Sequence, residues 1–149
     1  MKAGRIINSF TAKDGRKIVL RMPKWEDLED LLDLINSLVE EKAWITRAEK
    51  VSREGEIEWL SGALARLEKD QVLYMVAETD GHVIASSEIT PKGGYEKHVG
   101  TIGIAIKDGY RDVGVGTEMI KELVGQAQVI GLRVLTLNCF AGNERAIHV

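Results

Sequence analysis

The chain changes from strand to helix at Tyr110-Arg111-Asp112-Val113-Gly114-Val115-Gly116-Thr117. Apolar and β-branched residues predict a strand at about residues 98–107, and apolar residues four positions apart predict a helix at about 114–130. Two glycines at such a junction let the backbone approach a ligand closely, while the free amides and dipole of a helix N-terminus favour an anion. The stretch therefore predicts a cradle for a pyrophosphate group.

Two other pyrophosphate-binding motifs fit this stretch less well. A dinucleotide-binding fingerprint needs a third small residue three positions after the second glycine, and Met119 stands there. A P-loop needs a lysine between its last glycine and the following Ser or Thr, whereas Thr117 follows Gly116 directly. A tight turn without any ligand is the structural alternative for the two glycines.

The N-terminal half predicts a hairpin and two helices. Residues 4–22 contain the turn Lys13-Asp14-Gly15-Arg16 between stretches with β-branched and aromatic residues, which predicts a hairpin. Pro23 precedes apolar residues at helical spacing up to Val39, and a second apolar stripe consists of Ile57, Leu60, Leu64 and Leu67. Both helices are amphipathic and need a sheet to cover.

A sheet is predicted to follow these helices. Residues 72–77 and 83–90 predict two strands around an Asp-Gly turn, and with the strand at 98–107 they form an antiparallel meander. Residues 134–139 predict a further strand after the third helix, and residues 143–149 predict the start of a last helix. The order of elements indicates a mixed α+β fold in one domain, residues 1–149.

Composition limits the classes of function. The chain has 149 residues, 44% hydrophobic and 29% charged, as is typical of one globular domain. It has no apolar run near the ~20 residues that span a membrane and no secretory leader, so we predict a cytoplasmic protein. The single cysteine, Cys139, agrees with a reducing compartment. A net charge of -3 gives no basic surface, so neither a nucleic-acid nor a membrane partner is predicted.

The pattern Arg111-x-x-Gly114-x-Gly116 resembles the coenzyme A signature of the GNAT superfamily of N-acetyltransferases. Residues 135–146, Leu-Thr-Leu-Asn-Cys-Phe-Ala-Gly-Asn-Glu-Arg-Ala, are similar to the next strand of that family and to its Asn-x-x-Ala helix start. Two signatures in the expected order are more specific than either alone. The resemblance covers about residues 18–149 and implies the GNAT fold, with a mostly antiparallel sheet and helices on both faces. The fourth and fifth strands of the family, which splay apart, correspond here to the strands predicted at residues 98–107 and 134–139.

The resemblance also implies acetyl-coenzyme A (acetyl-CoA) as the cofactor, bound in the gap between the splayed strands. The backbone of Ile104, Ala105 and Ile106 would pair with the pantetheine like an added strand. Asn143 would lie beside the pantetheine arm, and no metal is expected. The pyrophosphate would be held by the amides of Arg111, Asp112, Val113, Gly114, Val115, Gly116 and Thr117.

The reaction that the resemblance implies is direct attack of a primary amine on the acetyl thioester while both substrates are bound. A protonated amine has no lone pair, so a base must take its proton. Glu88 is the predicted base, because a partly buried carboxylate next to the cofactor-binding strand could have a raised pKa. A solvent-facing role for Glu88 is the alternative, and Glu96 and His98 are weaker candidates. The backbone amide of Ile104 or a neighbour could bind the oxyanion.

In the family, the loop between the first two helices forms one wall of the acceptor site. Here it contains Glu40, Glu41 and Trp44, and carboxylates beside an aromatic ring suit a cationic amine. A solvated helix end is the alternative interpretation of the two glutamates. The acceptor stays open among polyamines, aminoglycoside-like molecules, amino acids and protein N-termini.

The C-terminus adds one further expectation. Family members place a tyrosine, which commonly protonates the departing thiolate, one position beyond Val149. We therefore expect a truncated domain without its C-terminal strands, with slower transfer but intact cofactor binding. An exposed edge on the strand at residues 134–139 makes a homodimer one predicted arrangement. A GNAT-like module that binds acetyl-CoA with weak catalysis, and a purely structural α+β domain, are the competing hypotheses.

Overall fold

The computed structural model describes residues 2–40, 50–91, 99–111, 113–129 and 134–137. A 3-10 turn, Trp25–Asp27, precedes the first α-helix. The last predicted helix and the end of the last predicted strand lie outside the described residues. In chain order the strands and α-helices are β1 (Ile6–Thr11), β2 (Lys17–Arg21), α1 (Leu28–Glu40), α2 (Arg53–Glu68), β3 (Leu73–Thr79), β4 (His82–Pro91), β5 (Val99–Ile106), α3 (Val115–Val129) and β6 (Val134–Leu137).

The strands form one sheet in which spatial order follows chain order. β1 to β5 are joined by antiparallel pairing, so the predicted hairpin and the predicted meander are confirmed. β6 pairs with β5 in parallel, because α3 carries the chain back across the sheet between them. The expected mixed α+β fold with a mostly antiparallel sheet is therefore confirmed.

The helices cover both faces of the sheet. Successive residues of a strand point to opposite faces, and the neighbours Met75 and Val76 of β3 belong to different apolar clusters. Met75 packs in the cluster that contains the buried stripe of α3: Val115, Met119, Leu123 and Ala127. Val76 packs in a cluster with Leu28 and Leu31 of α1 and Leu60 of α2. None of the helices within the described ranges is long and apolar enough to cross a membrane.

Arg21 of β2 is a buried side chain that ties the start of α1 to the sheet. Its Nη1 and Nη2 each lie 2.7 Å from a carboxylate oxygen of Asp27, and Nη2 lies 2.8 Å from Oε1 of Glu78 on β3. Burial disfavours the charged guanidinium, but hydrogen bonds to the two carboxylates outweigh it and raise the pKa of Arg21. The cluster fixes the position of α1 over the face of the sheet that carries the site.

Candidate active site

The predicted pyrophosphate cradle is a turn that leads into α3. Gly114 has a φ of +92°, a backbone conformation that residues with a side chain rarely adopt, so glycine is required here. The amide of Glu118 donates to the carbonyl of Gly114 at 3.2 Å and starts the helix. The amides of Val115, Gly116 and Thr117 therefore lie in the first turn, where an α-helix supplies no acceptor. This end of α3 suits an anion.

The turn of the N-terminal hairpin supports this cradle. The amide of Lys13 donates to the carbonyl of Val113 at 2.9 Å. Arg16 donates from Nη1 to the carbonyl of Gly109 at 3.3 Å, and its guanidinium lies 4.4 Å from the ring centroid of Tyr110. A methyl group placed on Gly114 would lie 3.9 Å from Cε of Lys13, so this exposed lysine side chain runs beside the cradle.

The second half of β5 has an edge without a strand partner in the described part of the chain. β6 pairs with β5 only from Val99 to Ile102. Residues 103–106 pair with β4 on their other side, and no described strand pairs with them on the β6 side. Nε of Arg111 donates to the carbonyl of Ile106 at 2.9 Å and fixes the end of the strand. This edge is where the pantetheine was predicted to pair.

A cavity of about 350 Å³ opens beside this edge, on the face covered by α1 and α2. Glu88 pairs with Tyr74 of β3 and with Gly103 of β5, so these three residues form one row on the same face of the sheet. A methyl group on Gly103 would lie 3.5 Å from Oε1 of Glu88. A side chain at position 103 would therefore occupy space beside this carboxylate.

The environment of Glu88 favours a base. The residue is half-buried, and burial raises the pKa of its carboxyl above the ordinary value of 4.5. The positive charge of Arg66 opposes this shift, and Nη2 of Arg66 donates to the hydroxyl of Tyr74 at 3.1 Å. A carboxylate with a raised pKa takes a proton from an amine more readily than an ordinary one does.

The structure brings only some of the predicted site residues together. Glu88, Ile104 and Ala105 line the same cavity. Glu40 ends α1, is exposed, forms an ion pair with Lys50, and is not among the described lining residues. The other predicted residues Asp112, Asn143, Glu41 and Trp44, and the alternatives Glu96 and His98, lie outside the described residues.

Sequence reasoning missed several residues that form the cavity. Trp59 and Tyr74 line it as an edge-to-face pair with ring centroids 5.7 Å apart. Asn36 of α1 shapes it indirectly, because its side chain accepts from the amide of Val51 at 2.7 Å and donates to the carbonyl of Val51 at 3.1 Å. The alternation along β3 assigns Tyr74 to the same face as Val76, but only the strand register places it beside Glu88.

Comparison with known proteins identifies the family. The model of the Acetyltransferase (GNAT) family matches residues 25–149, and the chain belongs to this family. The Bacillus subtilis (strain 168) protein named "Putative phosphinothricin acetyltransferase YwnH" is 26% identical over 133 residues, which are 87% of this chain and 78% of that protein. The predicted membership is confirmed, and the hairpin of β1 and β2 lies outside the matched residues.

Solved structures share the fold. The ribosomal-protein-alanine N-acetyltransferase from Brucella melitensis superposes with a TM-score of 0.74 at 26% identity, covering 87% of this chain and 78% of that one. Salmonella typhimurium yncA, solved with its cofactor acetyl-CoA, has a TM-score of 0.74 at 16% identity and coverages of 88% and 75%. Proteins of the GNAT family bind acetyl-CoA, and the predicted GNAT fold is confirmed.

Proposed function

We propose that the protein is an N-acetyltransferase that moves the acetyl group of acetyl-CoA to a primary amine while both substrates are bound. The observation that carries this proposal is that Glu88, a carboxylate with a raised pKa, shares one cavity with Ile104 and Ala105, which lie on the edge of β5 that has no strand partner among the described residues. A base next to a strand edge that can bind the cofactor is what direct attack by an amine requires.

The residues present fit acetyl-CoA. The amides of Val115, Gly116 and Thr117 and the left-handed turn at Gly114 suit its diphosphate. The open edge at residues 103–106 offers backbone groups to the amides of its pantetheine. Acetyl-CoA supplies the thioester that the amine attacks.

In this proposal the side chain of Glu88 takes the proton of the amine. Glu88 would accept the proton that the amine loses as the nitrogen–carbon bond forms, and coenzyme A would leave as its thiolate, with the electron pair of the broken carbon–sulfur bond, and take a proton from solvent. The backbone amide of Ile104 or a neighbour stays the predicted donor to the oxygen of the thioester carbonyl. The homodimer and the cytoplasmic location also stay predictions.

Substitution of Gly114 tests the cradle. Gly114→Ala strains a backbone with a φ of +92° and is expected to raise the Kd for acetyl-CoA at least about tenfold in calorimetry, because the loop must shift. The matched control is Gly81→Ala in the turn between β3 and β4, where φ is +78° and nothing lies within 4 Å of the added carbon. Equal Kd values for the two variants would remove the cradle from the proposal.

Turnover separates an enzyme from a binding module. Release of coenzyme A is measured with a panel of primary amines, and the acetylated products are identified by mass spectrometry. Amine-dependent release supports the acetyltransferase. Tight binding of acetyl-CoA without release of coenzyme A in the presence of any amine would instead support the alternative, a catalytically weak GNAT-like module.

A further inference from the structure

The walls of the cavity are apolar over most of their area. α1 contributes aliphatic side chains, Val51 extends this wall, and Trp59 and Tyr74 add aromatic rings. Ser86, Ser87 and the hydroxyl of Tyr74 contribute neutral polar groups to the described lining. The aliphatic residues of α1 are Leu31, Leu34, Ile35 and Leu38.

The charged groups of the described lining are both carboxylates, Glu56 and Glu88, and no lysine, arginine or histidine is among them. Glu56 is 6% exposed and already interacts with another group of the protein. Glu88 has neither a hydrogen bond nor an ion pair among the described residues, although Arg66 lies close enough to influence its pKa. Glu88 is therefore the carboxylate that remains for an ammonium group.

We propose that the acceptor is a small primary amine with one positive charge and an apolar body, an inference that rests on the proposed function. Its ammonium group lies at Glu88, and its body lies against the aliphatic wall of α1 and the ring of Trp59. A cavity of about 350 Å³ is at the lower end of the range for small-molecule sites, so it suits one small molecule.

The same lining disfavours the other charge patterns. A second ammonium group on the body would lose water against aliphatic side chains such as Leu34 and Ile35, and the other carboxylate of the described lining, Glu56, is already engaged within the protein. A carboxylate on the body would enter a cavity whose described charged residues, Glu56 and Glu88, are both acidic. The wall is also held in place, because two hydrogen bonds join Asn36 of α1 to Val51.

The test compares amines of equal length that differ at the end far from the reacting nitrogen. Pentylamine ends in a methyl group, 1,4-diaminobutane ends in an ammonium group, and 4-aminobutanoate ends in a carboxylate. We expect kcat/KM for pentylamine to exceed both others by about tenfold or more, a factor typical of matched and unmatched groups in an apolar pocket. A kcat/KM for either charged amine that equals or exceeds that of pentylamine overturns the proposal.

Substitutions in α1 locate the apolar body. Ile35 is half-buried and lines the cavity, so Ile35→Glu offers a partner to a second ammonium group and is expected to shift the preference about tenfold towards 1,4-diaminobutane. Leu32→Glu is the control, because Leu32 is half-buried in the same helix and is not among the described lining residues. An unchanged preference in Ile35→Glu overturns the assignment of this wall.

A second variant covers the case in which Ile35→Glu does not fold. Ile35→Ala removes apolar contact without adding charge, and we expect it to lower kcat/KM for pentylamine about tenfold while leaving that for 1,4-diaminobutane nearly unchanged. An equal loss for both amines would contradict the proposed position of the body.

Failure of the acceptor class can be distinguished from failure of the enzyme assignment. If acetyl-CoA does not bind, the proposed function fails. If acetyl-CoA binds but no amine is acetylated, amine binding is measured by calorimetry in the presence of coenzyme A. Tighter binding of pentylamine than of 1,4-diaminobutane then supports the acceptor class, and the reverse order, or no binding of either amine, overturns it.

Discussion

Two influences of opposite sign act on Glu88, and their balance sets its use as a base. Burial raises the pKa of its carboxyl and the charge of Arg66 lowers it, with burial the larger. As the pH falls through this raised pKa, the carboxylate becomes protonated and can no longer accept a proton from the amine. The rate should therefore fall on the acid side at a pH above 4.5, the ordinary pKa of the group.

The variant Glu88→Gln removes this group with little change in shape. We expect kcat/KM at neutral pH to fall by about 10² to 10⁴, the usual contribution of a general base, and the acid limb of the pH profile to disappear. Glu58→Gln, an exposed glutamate of α2, is the matched control. An acid limb that persists unchanged in Glu88→Gln would assign the proton transfer to another group.

The substitution Glu88→Gln should lower activity but raise the stability of the folded protein at neutral pH. Folding raises the pKa of Glu88, so the folded protein holds this proton more tightly than the unfolded chain does. The native protein therefore loses stability as the pH rises from 4.5 through the raised pKa, whereas Glu88→Gln does not. Glu88→Gln should have a higher Tm than the native protein at neutral pH, and this difference should shrink at acid pH.

Lys13 is a candidate residue for binding the diphosphate of coenzyme A, and it lies outside the part of the chain that the family model matches. Its exposed side chain runs beside Gly114 and has no ion pair within the described residues. Lys13→Gln should raise the Kd for coenzyme A about tenfold, since a charge-assisted hydrogen bond to phosphate is lost. The Kd for pantetheine, which has no diphosphate, should stay unchanged. Lys17→Gln in the same hairpin is the control, and an equal loss for pantetheine would refute direct contact with phosphate.

At the scale of secondary-structure elements, the buried cluster of Arg21, Asp27 and Glu78 determines where α1 lies. Asp27→Ala leaves the guanidinium of Arg21 buried with one carboxylate partner, and it also removes the acceptor for the amide of Lys24. We expect the free energy of unfolding to fall by about 3–5 kcal/mol, measured by urea denaturation.

The control for this variant is an exposed ion pair that also joins α1 to the sheet region. Asp33 lies 2.8 Å from Nζ of Lys107, and Asp33→Ala should cost about 1 kcal/mol or less because solvent screens this pair. A similar loss in the two variants would show that the buried cluster contributes no more than a surface contact.

The elements themselves could be predicted from the sequence, because alternation and helical spacing are local signals. The hairpin, three helices and the strands were predicted, with ends that differ by a few residues: β3 extends to Thr79 and β4 begins at His82. The cluster around Arg21 could not be predicted, since Glu78 is 57 positions away and reaches Arg21 only through the pairing of β2 with β3.

At the scale of the whole molecule, the site combines segments that are distant in the sequence. The Gly114 turn could be predicted because its residues are consecutive and the positive φ of Gly114 is a local requirement for glycine. The cavity could not be predicted, because α1, α2, β3, β4 and β5 each contribute part of its lining. The sequence predicts the acceptor site at Glu40 and its neighbours; Glu40 is not among the described lining residues of the cavity, whose α1 wall is apolar.

The contact between the hairpin turn and the cradle has a consequence for the order in which the protein is made. Arg16 and Gly109 are 93 positions apart, and the ribosome synthesises the hairpin long before the residues that it supports. The proposed phosphate-binding turn at Gly114 can take its final shape only when most of the chain has emerged. Loop closure over so long a segment costs entropy, so we expect the turn at Gly114, and with it the capacity to bind the cofactor, to form late in folding.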